Sequence, residues 1–111
     1  MAISPGRYDF TLQRRSDWSA SIQVLIDDVA LNMTGWSVEA EAWNEDRTTK
    51  YADFTVSYTN RSTGTFAITL TDAQTEWFPD IAYYDVLLIN PSGLREYYVE
   101  GVITVSEGYS T

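Results

Sequence analysis

The 111-residue chain contains no cysteine and no histidine, and Lys50 is its single lysine beside six arginines. Without cysteine, disulfides, thiolate catalysis and the usual zinc sites are excluded. Without histidine, the commonest general base and metal ligand is missing. Catalysis would have to depend on carboxylates, tyrosines or Lys50. We therefore expect a protein that is not an enzyme, with no catalytic residues, no metal site and no cofactor.

Positive charge is also scarce, because sixteen acidic residues face seven basic ones and give a formal net charge of -9. Such a charge repels phosphate backbones and anionic lipids, so we expect neither nucleic acid nor membrane as a partner. No apolar run reaches the length of about 18 residues that is needed to span a bilayer. The first ten residues lack the basic start and apolar core of a signal peptide, which predicts synthesis in a cytoplasm.

What the chain does contain is an alternation of apolar and polar residues with period two, which predicts β-strands. The segment AYYDVLLI (82–89) is almost entirely apolar and predicts a central strand buried on both faces. The residues predicted to face inward are Tyr8, Phe10, Leu12, Trp18, Ala20, Ile22, Val24, Ile26, Trp36, Val38, Ala40, Ala42, Phe54, Val56, Tyr58, Phe66, Ile68, Leu70, Tyr97, Val99, Ile103 and Val105.

Turn and cap signals divide these strands. TDAQTEWF (71–78) predicts one or two helical turns, capped by Thr71 or Asp72 and ended by Pro79. Asn90 to Gly93 predicts a turn, and so does Thr34-Gly35 within ALNMTGW (30–36). About seven strands at this spacing are typical of an all-β fold, an immunoglobulin-like antiparallel β-sandwich formed by one domain over residues 1–111. A small β-barrel is the alternative.

The conventional catalytic groups occur in three carboxylate clusters: Asp27-Asp28, Glu39 with Glu41, and Glu45-Asp46. Glu39 and Glu41 share the solvent face of a predicted strand, where a glycosidase pair would need a sugar-sized cleft. The two loop clusters lack the interleaved oxygen ligands of an EF-hand. We interpret all three clusters as solvated surface charge.

Several aromatic residues fall out of phase with the predicted core. Tryptophan and tyrosine are enriched at protein–protein hot spots, and they also stack on sugar rings. Trp43 lies on the glutamate face of its strand, and Tyr83 and Tyr84 cannot both point into one core. The residues predicted to form a partner interface are Trp43, Trp77, Tyr83 and Tyr98.

The order of these segments resembles small β-sandwich modules of tailed bacteriophages, namely the N-terminal domain of baseplate upper proteins and related tail or neck proteins. Where those modules carry an Asp-Gly turn, this chain has Asp27-Asp28-Val29. The matching positions are Asp17-Trp18, Leu31 through Trp36, Leu70 through Thr75, Tyr84-Asp85, Pro91-Ser92-Gly93 and Gly101-Val102.

The resemblance implies a non-enzymatic virion structural protein, an adaptor subunit of the tail, baseplate or neck. Such a subunit would dock onto other phage virion proteins in a symmetric assembly. Because the family's modules often begin longer proteins while this domain fills the chain, we expect a stand-alone adaptor. The alternatives are a capsid decoration (cement) protein and, from another class, a carbohydrate-binding module that uses the out-of-phase aromatic residues.

Overall fold

The computed structural model describes residues 6–107, which form eleven short β-strands, one helix and one 3-10 turn. The helix α1 is Asp72–Thr75, and the 3-10 turn is Arg61–Thr63. The strands are β1 Gly6–Arg7, β2 Phe10–Gln13, β3 Trp18–Gln23, β4 Leu25–Ile26, β5 Val29–Ala30, β6 Ser37–Trp43, β7 Lys50–Asp53, β8 Thr55–Asn60, β9 Thr65–Leu70, β10 Ile81–Ile89 and β11 Arg95–Ser106.

Two main sheets pack against each other. The larger sheet has six strands in the order β1-β11-β10-β6-β7, with β2 also pairing with β11. The smaller sheet has three strands in the order β3-β9-β8, and β4 and β5 form a separate hairpin. A single apolar core lies between the sheets and includes Phe66, Ile68, Val86 and Ile103, each fully buried. The predicted all-β sandwich is therefore confirmed.

The central strand β10 confirms the prediction from its apolar sequence, since it pairs with β11 on one side and β6 on the other. The predicted short helix also forms. The Thr71 side chain accepts a hydrogen bond from the backbone of Gln74, and the Gln74 side chain accepts one from the backbone of Thr71. This capping box satisfies two otherwise unpaired N–H groups, which explains how so short a helix begins at Asp72.

The segment Ala52–Tyr58 does not form the single strand that its alternation predicts. Instead β7 ends at Asp53 in the larger sheet, and β8 begins at Thr55 in the smaller one. Phe54 lies between them, with its side chain buried and its N–H donated to the carbonyl of Ala40 at 2.9 Å. The buried ring fixes the point where the chain crosses from one sheet to the other.

A β-bulge in β11 reverses the predicted phase of two tyrosines. Val86 pairs with Val99, but the next residue, Leu87, pairs with Tyr97, so Tyr98 is the extra residue of the bulge. Tyr97 is consequently 61% exposed, whereas Tyr98 packs against the core. The predicted inward position of Tyr97 is therefore wrong, because a bulge shifts the period-two pattern by one residue.

The hairpin β4–β5 likewise corrects the prediction that Ile26 points inward, since Ile26 is 55% exposed. Ile26 pairs with Val29 across a two-residue turn formed by Asp27 and Asp28. Both aspartates have positive φ, 51° and 64°, as a type I′ turn requires. The tight hairpin thus forms without the glycine that usually relieves this conformation.

Candidate docking face on the larger sheet

The outer face of the larger sheet carries two adjoining depressions of about 180 and 320 Å³. Trp43, Arg47 and Asp85 line both depressions, so Arg47 and its neighbours lie between the two halves of one groove. Tyr83 completes the first half and Tyr97 the second. We call the residues Glu41, Trp43, Arg47, Tyr83, Asp85 and Tyr97 the docking face.

A row of carboxylates crosses this face because acidic residues occupy matching positions on neighbouring strands. Asp85 in β10 pairs directly with Glu41 in β6 and with Glu100 in β11, and Glu41 pairs with Asp53 in β7. Like charges placed directly opposite one another destabilise a sheet. Stability at this row therefore depends on cations between the carboxylates.

Asp85 is the most constrained member of the row, because it is 93% buried, with 7% of its surface exposed. Burial raises the pKa of Asp85, and the neighbouring Glu41 and Glu100 raise it further, while Arg47 acts in the opposite direction. Arg47 Nη2 lies 2.9 Å from Asp85 Oδ2. A charged carboxylate at this depth needs such a partner.

The β6–β7 loop brings Arg47 over the sheet. The Asn44 side-chain oxygen accepts hydrogen bonds from the backbone N–H groups of Thr48 and Thr49, at 2.8 and 3.1 Å. Arg47 itself adopts a positive φ of 57°. Its guanidinium also lies 5.8 Å from the centroid of the Tyr97 ring, a cation–π distance. The loop thus holds a half-exposed arginine between a buried carboxylate and an exposed aromatic ring.

Lys50 makes similar contacts, with carboxylates and an aromatic ring, at the edge of the sheet. Its Nζ lies 3.0 Å from Asp53 and 3.4 Å from Glu41, and these hydrogen bonds raise the pKa of Lys50. The same Nζ is 5.8 Å from the centroid of the Trp43 ring, whose indole N–H donates to Glu41 at 3.3 Å. These contacts fix the orientation of the half-buried indole.

The structure brings two of the four predicted interface residues together. Trp43 and Tyr83 are direct cross-strand partners on the docking face. Trp77, just after α1, is 79% exposed but does not line the groove. Tyr98 turns toward the core, where its hydroxyl donates to the carbonyl of Gln23 at 3.4 Å.

Four members of the docking face are not among the residues predicted to form an interface: Glu41, which was interpreted as solvated surface charge, and Arg47, Asp85 and Tyr97. One signal was available, since an aspartate inside the apolar run AYYDVLLI needs a partner if that strand is buried. Nothing in the sequence identifies Arg47 as that partner, because loop geometry brings the two together. The Tyr97 position depends on the bulge, which the alternation does not predict.

The carboxylate clusters considered from sequence are held in ion pairs or lie at the surface. Glu39 pairs with Arg95 at 3.2 Å, and the hairpin turn contains Asp27 and Asp28, both exposed. Within residues 6–107, no group of three or more acidic, histidine or cysteine side chains is placed to hold a metal ion. Over the same range, no helix has the length and apolarity needed to cross a membrane.

Comparisons with known proteins place the chain by its fold. No family model matches it, and no curated protein matches its sequence. Among solved structures, one match is a chain in the crystal structure of ICOS in complex with ICOS-L and an anti ICOS-L VNAR domain. The TM-score is 0.54 at 13% identity, covering 89% of this chain and 54% of that one.

A second match is the N-terminal Ig1-2 module of the Drosophila receptor protein tyrosine phosphatase DLAR, at 15% identity. Its TM-score is 0.49, with 97% of this chain and 47% of that chain covered. The protein spans about half the length of both solved chains. Together with the two packed sheets, the first match shows that the protein has an immunoglobulin-like β-sandwich fold.

Proposed function

We propose that this protein is a non-enzymatic binding module that docks a protein partner through the docking face of the larger sheet. The observation that carries the proposal is the grouping of Trp43, Tyr83, Tyr97 and Arg47 around the buried Asp85. Tryptophan, tyrosine and arginine are the residue types most enriched in interface hot spots. Their convergence at one groove supports a protein interface there.

The charge pattern of the face also supports a protein partner. Each cation of the groove pairs with a carboxylate, so the groove does not present charge of a single sign. A partner would therefore cover aromatic rings and hydrogen-bonding groups. An interface core of this kind has apolar anchors surrounded by satisfied polar groups. Partner binding would bury Tyr97, which is exposed in the free protein.

We further propose that the partner is another virion protein of a tailed bacteriophage, with this chain as an adaptor of the tail, baseplate or neck. The support for this setting is the sequence resemblance over Leu31 through Trp36 and Leu70 through Thr75. Repetition of a modest interface around a symmetric ring would raise the overall affinity through multivalency. The protein would then be located in the virion.

The experiment compares two tryptophans. In phage particles assembled with each variant, we expect Trp43→Ala to reduce incorporation of the chain about thirtyfold, the effect of losing a hot-spot tryptophan. Trp77→Ala removes a more exposed tryptophan outside the groove and should leave incorporation unchanged. Incorporation is measured by quantitative mass spectrometry, after circular dichroism has verified that both variants fold.

Three outcomes would oppose the proposal. If the chain is absent from purified particles, the virion setting is wrong. If Trp43→Ala is incorporated like the unmodified chain, the docking face is wrong. If the isolated protein binds glycans on an array and loses that binding with Trp43→Ala, the carbohydrate-binding alternative replaces the proposal.

A further inference from the structure

No other strand of the described part pairs with the outer edge of β3, although the Gln23 carbonyl on that edge accepts a hydrogen bond from the Tyr98 hydroxyl at 3.4 Å. β3 pairs with β9 alone, over six residues without a register shift, from Trp18 with Leu70 to Gln23 with Thr65. Edge strands with unpaired N–H and C=O groups are templates for the addition of another strand. An extended polypeptide is therefore the ligand that can form backbone hydrogen bonds with this edge.

The direction of the unpaired groups follows from Val24. The N–H of Val24 donates to the Gly64 carbonyl at 2.9 Å, and its C=O accepts from the Leu31 N–H at 3.0 Å. Gly64 directly precedes β9, so the backbone groups of Val24 point to the β9 side. Because these directions alternate along a strand, the groups of Ser19, Ser21, Gln23 and Leu25 point to the outer side.

The edge lacks the features that usually block strand addition. Natural edge strands are protected by charged residues, prolines, bulges or covering loops. β3 reads WSASIQ, with neither charge nor proline, and its Ser19 and Ser21 side chains are exposed. By contrast β7, an edge of the larger sheet, carries Lys50 and Asp53 and has a register shift in its pairing.

An apolar hairpin continues the same edge. β4 follows β3 after Val24, and Leu25, Ile26 and Val29 of the hairpin are 38%, 55% and 67% exposed. Leu31 returns on the β9 side, so the hairpin leaves the outer edge of β4 open. An added strand would cover both the backbone edge and exposed apolar side chains.

We infer that the outer edge of β3 and β4 is a second docking site, which takes an extended, uncharged strand from a different protein by β-strand addition. Backbone hydrogen bonds would hold the strand, and apolar side chains at its end would pack on the hairpin. The strands of the smaller sheet carry no charged residue, whereas the whole chain has a net charge of -9. A second copy of this acidic chain would be repelled by the negative charge on the rest of the surface. A neutral strand can approach the edge without that repulsion.

The test uses a synthetic peptide with the β9 sequence Thr65–Leu70 between uncharged, solubilising glycine and serine ends, because this sequence already pairs with β3 in the fold. Amide hydrogen exchange and NMR shifts are measured on the full chain. We expect the peptide to slow exchange at Ser19, Ser21, Gln23 and Leu25. A peptide copy with prolines at the positions of Ala67 and Thr69 should have no effect.

Two substitutions on the smaller sheet provide the matched pair. Ser21→Lys places a charge on the open edge and should weaken peptide binding about tenfold or more, comparable to losing a backbone hydrogen bond. Ser57→Lys makes the same change on β8, at another exposed serine on the opposite edge, and should leave binding unchanged. Ser21→Pro removes the outward N–H directly and should also weaken binding.

The inference is wrong if Ser21→Lys and Ser57→Lys affect peptide binding equally, or if protection falls on β7, β8 or the docking face. It is also wrong if the protein alone dimerises in sedimentation experiments and Ser21→Lys abolishes the dimer, since a second copy would then occupy the edge. These outcomes are independent of the Trp43 experiment, which tests the larger sheet.

Discussion

The outer faces of the two sheets differ in the side chains that they present to solvent. The larger sheet places Glu41, Asp85 and Glu100 in one row, in which Arg47 pairs with Asp85 and Lys50 pairs with Glu41. The three strands of the smaller sheet carry no charged residue, and their exposed side chains are mainly serine and threonine. The same core thus supports one face rich in ion pairs and aromatic rings and one neutral face.

The difference indicates how each face would bind. On the larger sheet, side chains form a groove with a defined shape, so recognition would depend on side-chain anchors. On the smaller sheet, the side chains are small and the edge of β3 is open, so recognition would depend on backbone hydrogen bonds. An adaptor, the role proposed for this protein, would need two surfaces for two neighbours, and this contrast would supply them.

The largest effect is expected where the N-terminal segment runs alongside β11, between β1 and β2. A Cβ atom at Gly101 would lie 2.0 Å from the backbone oxygen of Tyr8, so Gly101→Ala should cost about 3 kcal/mol or more in the free energy of unfolding. Gly93→Ala is the control, since its Cβ meets nothing within 4 Å and only its φ of 86° is strained. That change should cost about 1–2 kcal/mol. Urea unfolding measures both, and equal losses would show that Gly101 and the Tyr8 backbone are not in tight contact.

A smaller effect is expected from the ion pair of the docking face. Arg47→Ala leaves Asp85 buried without its cation and should cost about 1–3 kcal/mol at neutral pH, below the value for a fully buried pair because Arg47 is half exposed. Arg95→Ala, which breaks the exposed pair with Glu39, should change stability by less than about 1 kcal/mol.

The cost of Arg47→Ala should also depend on pH. Burial raises the folded-state pKa of Asp85 above its ordinary value of 3.8, so the stability that its protonated carboxyl contributes is fully present below 3.8 and is lost as pH rises through the folded pKa. A protonated carboxyl needs no cation. The difference between variant and unmodified chain should therefore shrink as pH falls, and a constant difference would show that Arg47 acts through packing instead.

The smallest effect is expected on the neutral face. Ser57→Glu adds a carboxylate at an exposed position of β8 and should change the free energy of unfolding by less than about 0.5 kcal/mol. Such a small change would mean that folding does not require a neutral smaller sheet. The absence of charge would then be explained by binding. A loss well above this value in urea unfolding would make the neutrality structural and remove one argument for strand addition at β3.

The sequence pattern predicted those parts of the fold that depend on local alternation. Phe66, Ile68 and Leu70 are buried as the period of two requires, and the Thr71 cap forms with Gln74 as expected. The turn predicted at Thr34-Gly35 also forms, with Gly35 at a positive φ of 85°. These features need information only from neighbouring residues.

The features that sequence could not supply depend on contacts between distant residues. The bulge at Tyr98 exchanges the two tyrosines, and the crossing at Phe54 divides one apparent strand between two sheets. Arg47 reaches Asp85 across 38 residues of sequence, through a loop whose shape the Asn44 side chain sets. The phase of Trp43 and Tyr83 predicted that they lie outside the core, but their direct pairing follows from strand register.

The most direct test of the docking face is a map, at side-chain resolution, of the protein within the phage assembly proposed to contain it. In that map we expect Trp43, Tyr97 and Arg47 to be buried against a different protein, with the larger sheet facing that partner. A map in which these three side chains face solvent, while the protein is held by another surface, would contradict the central claim.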